Sequence, residues 1–318
     1  MENALRNSHK TSIKGTIALL FGFAVSAAAL AAPTVTSDEE LVPEIRHERI
    51  GELVTQFIQK SHYNQIAVND DLSSRVLDVY IESLDGNRSY LLASDIEYFE
   101  KYRYRLDDMV RSQPLDPVYD MFKVYRTRAR ERLNYAIKLL ETEPDFTVDE
   151  NYQFDRSEAD WAQSSEELDE IWRKRVKSDA LRLVLAEKTW EEAQEVLTNR
   201  YKRVLRRLDQ VKTDDIFETF MNAFAHTLDP HSSYLSPRNS EEYRIQMSLS
   251  YIGIGASLQT EEDFVKIINI TPGGPAPIDG KLKPEDKITG VAQGSEGAVV
   301  DVGGWRLDDV VELIRGPK

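Results

Sequence analysis

Three residues whose side chains could do catalysis, Asp229, His231 and Ser232, fall within four positions, with His226 just upstream. Such a set could supply a nucleophile, a base and an orienting carboxylate, or ligands for a metal ion. The local context argues against both. Pro230 follows Asp229 at once and marks the end of a helix, and Ser232 or Ser236 reads as the N-cap of the next one. The chain has no cysteine, which excludes a thiol nucleophile, a disulfide framework and a Cys-based zinc site. A dinucleotide loop fails because Leu258 stands where the third glycine would be, and Gly290 to Gly297 has no Gly-Lys-Ser/Thr for a phosphate loop. The expectation is therefore no catalytic residue, no metal and no cofactor.

Binding chemistry is better represented. In Gly253-Ile254-Gly255-Ala256 a Gly-x-Gly turn lets successive N–H groups converge on an anion, and a terminal carboxylate is a natural guest. Ile252 and Ile254 flank that turn. The strand expected over Ala256 to Gln259 would offer an edge to which a peptide can add as a further strand. Leu307, Val310, Val311 and Ile314 lie at helical spacing and could line an apolar groove beside it, or serve as ordinary core residues.

Two regions of different period must position these residues. From Glu44 to Met247 apolar residues recur at three and four, as in Ile50, Leu53, Val54, Phe57 and Ile58, or Val118, Met121, Phe122, Tyr125 and Ala129. Asp116-Pro117 reads as an N-cap with a first-turn proline, and Ser94/Glu97, Ser164/Glu167 and Thr189/Glu192 read as capping boxes. Between Thr142 and Ser164 the pattern lapses into a long surface loop. After Ser248 glycine, proline and β-branched residues take over. They predict strands over Ala256 to Gln259, Phe264 to Ile270 and Lys287 to Val291, and a helix over about Trp305 to Ile314 that Gly316-Pro317 stops. The fold class is an all-α N-terminal domain over 44–247 followed by a small mixed α/β domain over 248–318.

The N-terminus reads as a secretory leader. Arg6, Lys10 and Lys14 precede an apolar run from Gly15 to Leu30 that ends in Ala29-Leu30-Ala31, so cleavage is expected between Ala31 and Ala32, with 1–31 as signal peptide. No other stretch is apolar enough to span a bilayer, so the mature chain is expected to be soluble and periplasmic. The formal charge is -15, and losing a leader with three basic residues and one acidic residue makes it -17. That balance excludes nucleic acid as a partner. Three basic runs, Lys101 to Arg105, Lys123 to Arg132 and Arg200 to Arg207, sit on helical patterns beside acids. They read as solvated helix faces, with an anionic ligand or protein partner as the other reading.

Taken in order, Leu228-Asp229-Pro230-His231-Ser232-Ser233-Tyr234-Leu235-Ser236-Pro237, the Gly253-Ile254-Gly255 turn, Gly274-Pro275-Ala276, Leu282-Lys283-Pro284, Asp286-Lys287-Ile288 and the segment Trp305 to Gly316 resemble the carboxy-terminal processing proteases, in particular their tail-specific branch. The resemblance implies that the second domain is a PDZ module for nonpolar protein C-termini, short of part of its sheet at Lys318. It also implies a serine nucleophile and a lysine base downstream of that module, and hints at an accessory lipoprotein partner. The expected role is thus the substrate-recognition front end of a periplasmic serine endopeptidase; a non-catalytic PDZ adaptor or an inactive truncated product is the alternative. Asp279 before Gly280 and Glu285 before Asp286 depart from the family pattern, which expects a small residue and a glycine there.

Overall fold

Among the described residues the three-and-four spacing folds into nine helices: α1 (Ile45–Ser61), α2 (Asp70–Asp85), α3 (Ala93–Glu100), α4 (Leu106–Arg111), α5 (Asp116–Leu139), α6 (Ser165–Leu185), α7 (Trp190–Asp209), α8 (Thr213–His226) and α9 (Pro237–Ser248). The computed structural model describes residues 36–248, 253–294 and 297–316. The long α5 packs against α6 and α7, while α2 packs against α8 and α4. Tyr80, Phe99, Tyr119, Trp172, Phe217, Phe220 and Phe224 are fully buried between them. Aromatic rings of this size remove a large apolar area from water, and with the aliphatic residues around them they hold a cysteine-free body together. Among the described residues no helix is long and apolar enough to cross a membrane.

Helix starts follow the sequence signals with two shifts. Thr189 and Glu192 form a capping box, and the Ser164 hydroxyl accepts the Glu167 N–H. At α3 the N-cap is Leu92, whose N–H donates to Asp95, so the Ser94/Glu97 box does not form. At α5 the N-cap is Leu115, which makes Asp116 and Pro117 the first helical residues. The segment between α5 and α6 contains no helix, as expected from its composition, and touches the rest through an isolated bridge between Leu92 and Ala162.

One apolar stripe is misplaced. In α1, Leu53 and Phe57 are 58% and 67% exposed, and the buried residues are His47, Gly51, Thr55 and Ile58. The cause is a close approach to α4. A Cβ on Gly51 would lie 3.3 Å from the Val110 carbonyl oxygen, and the Thr55 hydroxyl donates to that same oxygen at 3.4 Å. Small residues mark the face that packs most tightly, and a search for large apolar side chains passes over them.

The second region, which shares a compact unit with the helices, contains β1 (Ala256–Glu261), β2 (Phe264–Ile270), α10 (Pro275–Asp279), β3 (Lys287–Ile288), β4 (Gly290–Val291), β5 (Val300–Asp301) and α11 (Leu307–Arg315). β1, β2 and β3 form an antiparallel sheet in that order, and β4 pairs with β5. Val265, Val302 and Val310 are its buried centre. Gly316 ends α11 at a φ of +71°. Glu285 adopts a φ of +76°, a conformation that glycine takes without strain, and its carboxylate pairs with Lys266 at 2.6 Å. The departure from glycine there alters a turn and leaves the sheet intact.

Candidate peptide-binding groove

The two glycine motifs separated by almost twenty residues meet in space. Gly255 enters β1 at a φ of +78° and lies against Gly274, with an added Cβ on either residue 3.0 Å from the Cα of the other. The adjoining carbonyls are taken up by the same turn: Thr271 N–H donates to Gly255 O and Ala276 N–H to Ile254 O, both at 2.8 Å. The carbonyls of this turn are therefore tied back into the fold. Among the described residues no backbone carbonyl accepts the N–H of Gly253, Ile254 or Gly255. Those donors are the groups a carboxylate would need.

β1 is an edge of its sheet, and α11 packs beside it. Between them lies a groove of about 400 Å³, lined by Gly253, Ile254, Ala256, Val311 and Ile314 from the expected set. Gly255 shapes the turn from behind. Val310 is fully buried against Val265 and Val302, because it sits one position from Val311 on a helix and so faces the sheet. Leu307 lines a different cleft, on the side of α7. Ile252 and the leader residues Ala31 and Ala32 lie outside the described residues.

The groove also has walls that sequence reading missed. Glu242 and Ile245 of α9 line it, with Thr271 and Arg315. No local signal in the sequence marks Glu242 or Ile245, since their place depends on how α9 meets the sheet.

The residues around Asp229 do come together, with a partner the sequence did not suggest. His62, just after α1, places Nε2 at 2.9 Å from Asp229 Oδ2 and 3.3 Å from Ser232 Oγ, and Ser232 donates to Asp229 at 2.6 Å. This is not a hydrolytic arrangement. A triad histidine uses one nitrogen for the serine and the other for the carboxylate, whereas here one nitrogen meets both. The Asn64 N–H donates to His62 Nδ1 at 3.3 Å, which puts the proton of the neutral ring on Nε2 and leaves no base facing Ser232. The cluster ties the end of α1 to the segment after α8. Ser236, not Ser232, accepts from the first turn of α9, through Asn239 N–H.

A similar tie joins the starts of α1 and α8. Glu44, His47 and Asp214 bring ligand-type atoms within 4.8 Å of one another. Both nitrogens of buried His47 are engaged, Nε2 with Asp214 at 2.7 Å and Nδ1 with Tyr119 at 2.9 Å, and the ring stacks on Phe217. The cluster is accounted for as a structural network.

Hydrogen bonds from Ser232 and from the His231 backbone hold the Asp229 carboxyl down at about 2. A depressed carboxyl contributes stability that is complete above its unfolded value near 4 and is lost as pH falls toward 2. Asp229→Asn is therefore expected to lower the urea midpoint at pH 6, with a clearly smaller gap to the parent at pH 3. A gap that stays constant between the two pH values would count against this role.

A family model for the tail-specific protease N-terminal domain matches residues 54–238. The chain belongs to the tail-specific protease family. A PDZ domain model matches residues 242–318. The tail-specific protease of Haemophilus influenzae is 40% identical over 289 residues, covering 90% of this chain and 41% of the relative. A probable CtpA-like serine protease of Staphylococcus aureus is 33% identical over 88 residues, 28% of this chain and 16% of the relative. This chain thus spans less than half the length of these relatives. Among solved structures, the PDZ domain of a carboxy-terminal protease from Vibrio cholerae in complex with peptide is 53% identical, covering 21% of this chain and 66% of that one, with a TM-score of 0.20. In tail-specific protease terms, the helical region is followed by a PDZ domain with small antiparallel sheets, as expected from the sequence.

Proposed function

We propose that this tail-specific protease chain captures nonpolar protein C-termini for proteolysis, in the groove between β1 and α11, as the recognition part of a periplasmic serine endopeptidase. The observation that carries the reading is the convergence of three features in one groove: the Gly253 to Gly255 turn, the open edge of β1, and the apolar side chains of Val311 and Ile314. A terminal carboxylate at the turn, a peptide strand along β1 and an apolar last side chain against α11 use all three. The reading places a signal peptide at 1–31 cleaved between Ala31 and Ala32, a helical domain over 44–247 and the PDZ domain over 248–318. It assigns no catalytic residue to these 318 residues.

The test is a comparison of one nonpolar peptide as free acid and as C-terminal amide, by fluorescence polarisation with the purified chain. Amidation removes the charge that the turn donors solvate. A charge-assisted hydrogen bond is worth about 1.5–3 kcal/mol, so binding is expected to weaken about tenfold or more. Equal affinities for the two forms would leave Gly253 and Gly255 as turn residues only.

A further inference from the structure

A second cleft, of about 440 Å³, opens on the far side of α11, between α7, the β1–β2 turn and the segment entering α11. Four arginines line it, Arg203, Arg206, Arg207 and Arg306, against the carboxylates Asp215, Glu262 and Asp308. With Asp263 of the hairpin turn the cleft has as many carboxylates as arginines, but they are unevenly shared. Arg306 pairs with both Asp215 and Asp308, and Arg206 pairs with Asp263 in the hairpin turn. Arg203 and Arg207, one helical turn apart on α7, have no ion-pair or hydrogen-bond partner for their guanidinium groups among the described residues, and Glu262 is the single acid of the lining left to offset them. Trp305 forms part of the wall, and its indole N–H is buried with no acceptor.

We infer that this cleft is a second ligand site, for a small multivalent oxyanion of the phosphate type. Guanidinium groups are planar, permanently charged and matched to such oxyanions through paired N–H donors. The chain as a whole is strongly acidic, at -15, so two unpaired arginines facing a single free acid in a concave site are a local exception to its field. The volume is many times the roughly 30 Å³ share of a single water, so it admits an ion larger than a halide. Because one wall is α7 and another the entry to α11, the bound ion would fasten the helical region to the PDZ domain. This site is separate from the peptide groove, and neither assignment depends on the other.

The experiment titrates pyrophosphate into the full chain, by calorimetry and by tryptophan emission, with sodium chloride at matched ionic strength as the control. The expected result is saturable binding, an emission change that Trp305→Phe removes, and a thermal midpoint that rises with pyrophosphate. The Arg203→Gln, Arg207→Gln double variant keeps its circular dichroism, binds pyrophosphate about tenfold or more weakly, and loses the rise in midpoint. Response to pyrophosphate no greater than to chloride, or equal binding by the double variant with its fold intact, would overturn the assignment.

Discussion

Gly255→Val is expected to abolish carboxylate-dependent peptide capture while leaving the helical region folded. Two separate penalties act at that position. A β-branched residue at a φ of +78° is strained by about 1–3 kcal/mol, and the new Cβ would press on Gly274 Cα at 3.0 Å. The hydrogen bonds from Thr271 and Ala276 that position the turn would lengthen as the two backbones separate. Gly273→Ala separates the causes, since Gly273 has a φ of +82° but an added Cβ meets nothing within 4 Å. That control should cost stability without closing the groove. Peptide binding and amide exchange across β1 and β2 are the measurements; Gly255→Val binding within about twofold of the parent would refute the role given to the glycine contact.

Trp172→Ala should be the most damaging single truncation in the helical region, at about 3–5 kcal/mol. The ring is fully buried and packs against Tyr90 and Tyr201, and the Arg175 guanidinium sits 4.5 Å from it. Its indole N–H donates to Ser89 O at 2.6 Å. Ser89 lies in a turn that Asp85 also holds, accepting the N–H groups of Ser89, Tyr90 and Leu91. Removing the indole therefore opens a cavity and strips a buried carbonyl of its donor. Urea unfolding at neutral pH measures the loss, and a cost below about 1.5 kcal/mol would mean that the surrounding helices collapse into the space.

Sequence reasoning succeeded where a local pattern sets the outcome and failed where two distant segments do. The stripe of α5 is periodic and mostly large, and Val118, Met121, Phe122 and Ala129 are all buried. The strand from Phe264 to Ile270 has its expected bounds, and α11 starts within two residues of its expected position. The face of α1 was misjudged because its contact with α4 is made by Gly51 and Thr55, residues that periodicity discounts. Val311 and Ile314 line the groove while Val310 does not, a distinction set by which way α11 is rotated on the sheet. His62 could not be paired with Asp229, nor Gly255 with Gly274, from one sequence, because nothing in their neighbourhoods encodes the other.

The short helix α11 is fastened from two sides by forces of different kinds. Val310 holds its inner face to the PDZ core, while its entrance is bound to the helical region by Arg306 to Asp215 at 2.5 Å, Lys212 to Asp309 at 2.8 Å and Arg238 to Asp309 at 3.0 Å. Gln210 adds a hydrogen bond to Gly304 O at 2.7 Å. Dissolved ions screen the second set and barely touch the first. The stiffness of the groove wall is thus partly borrowed from a neighbouring body and weakens as salinity rises: in brine the wall is steadied by its apolar side and the neutral Gln210 hydrogen bond, while in dilute medium it moves with the helices.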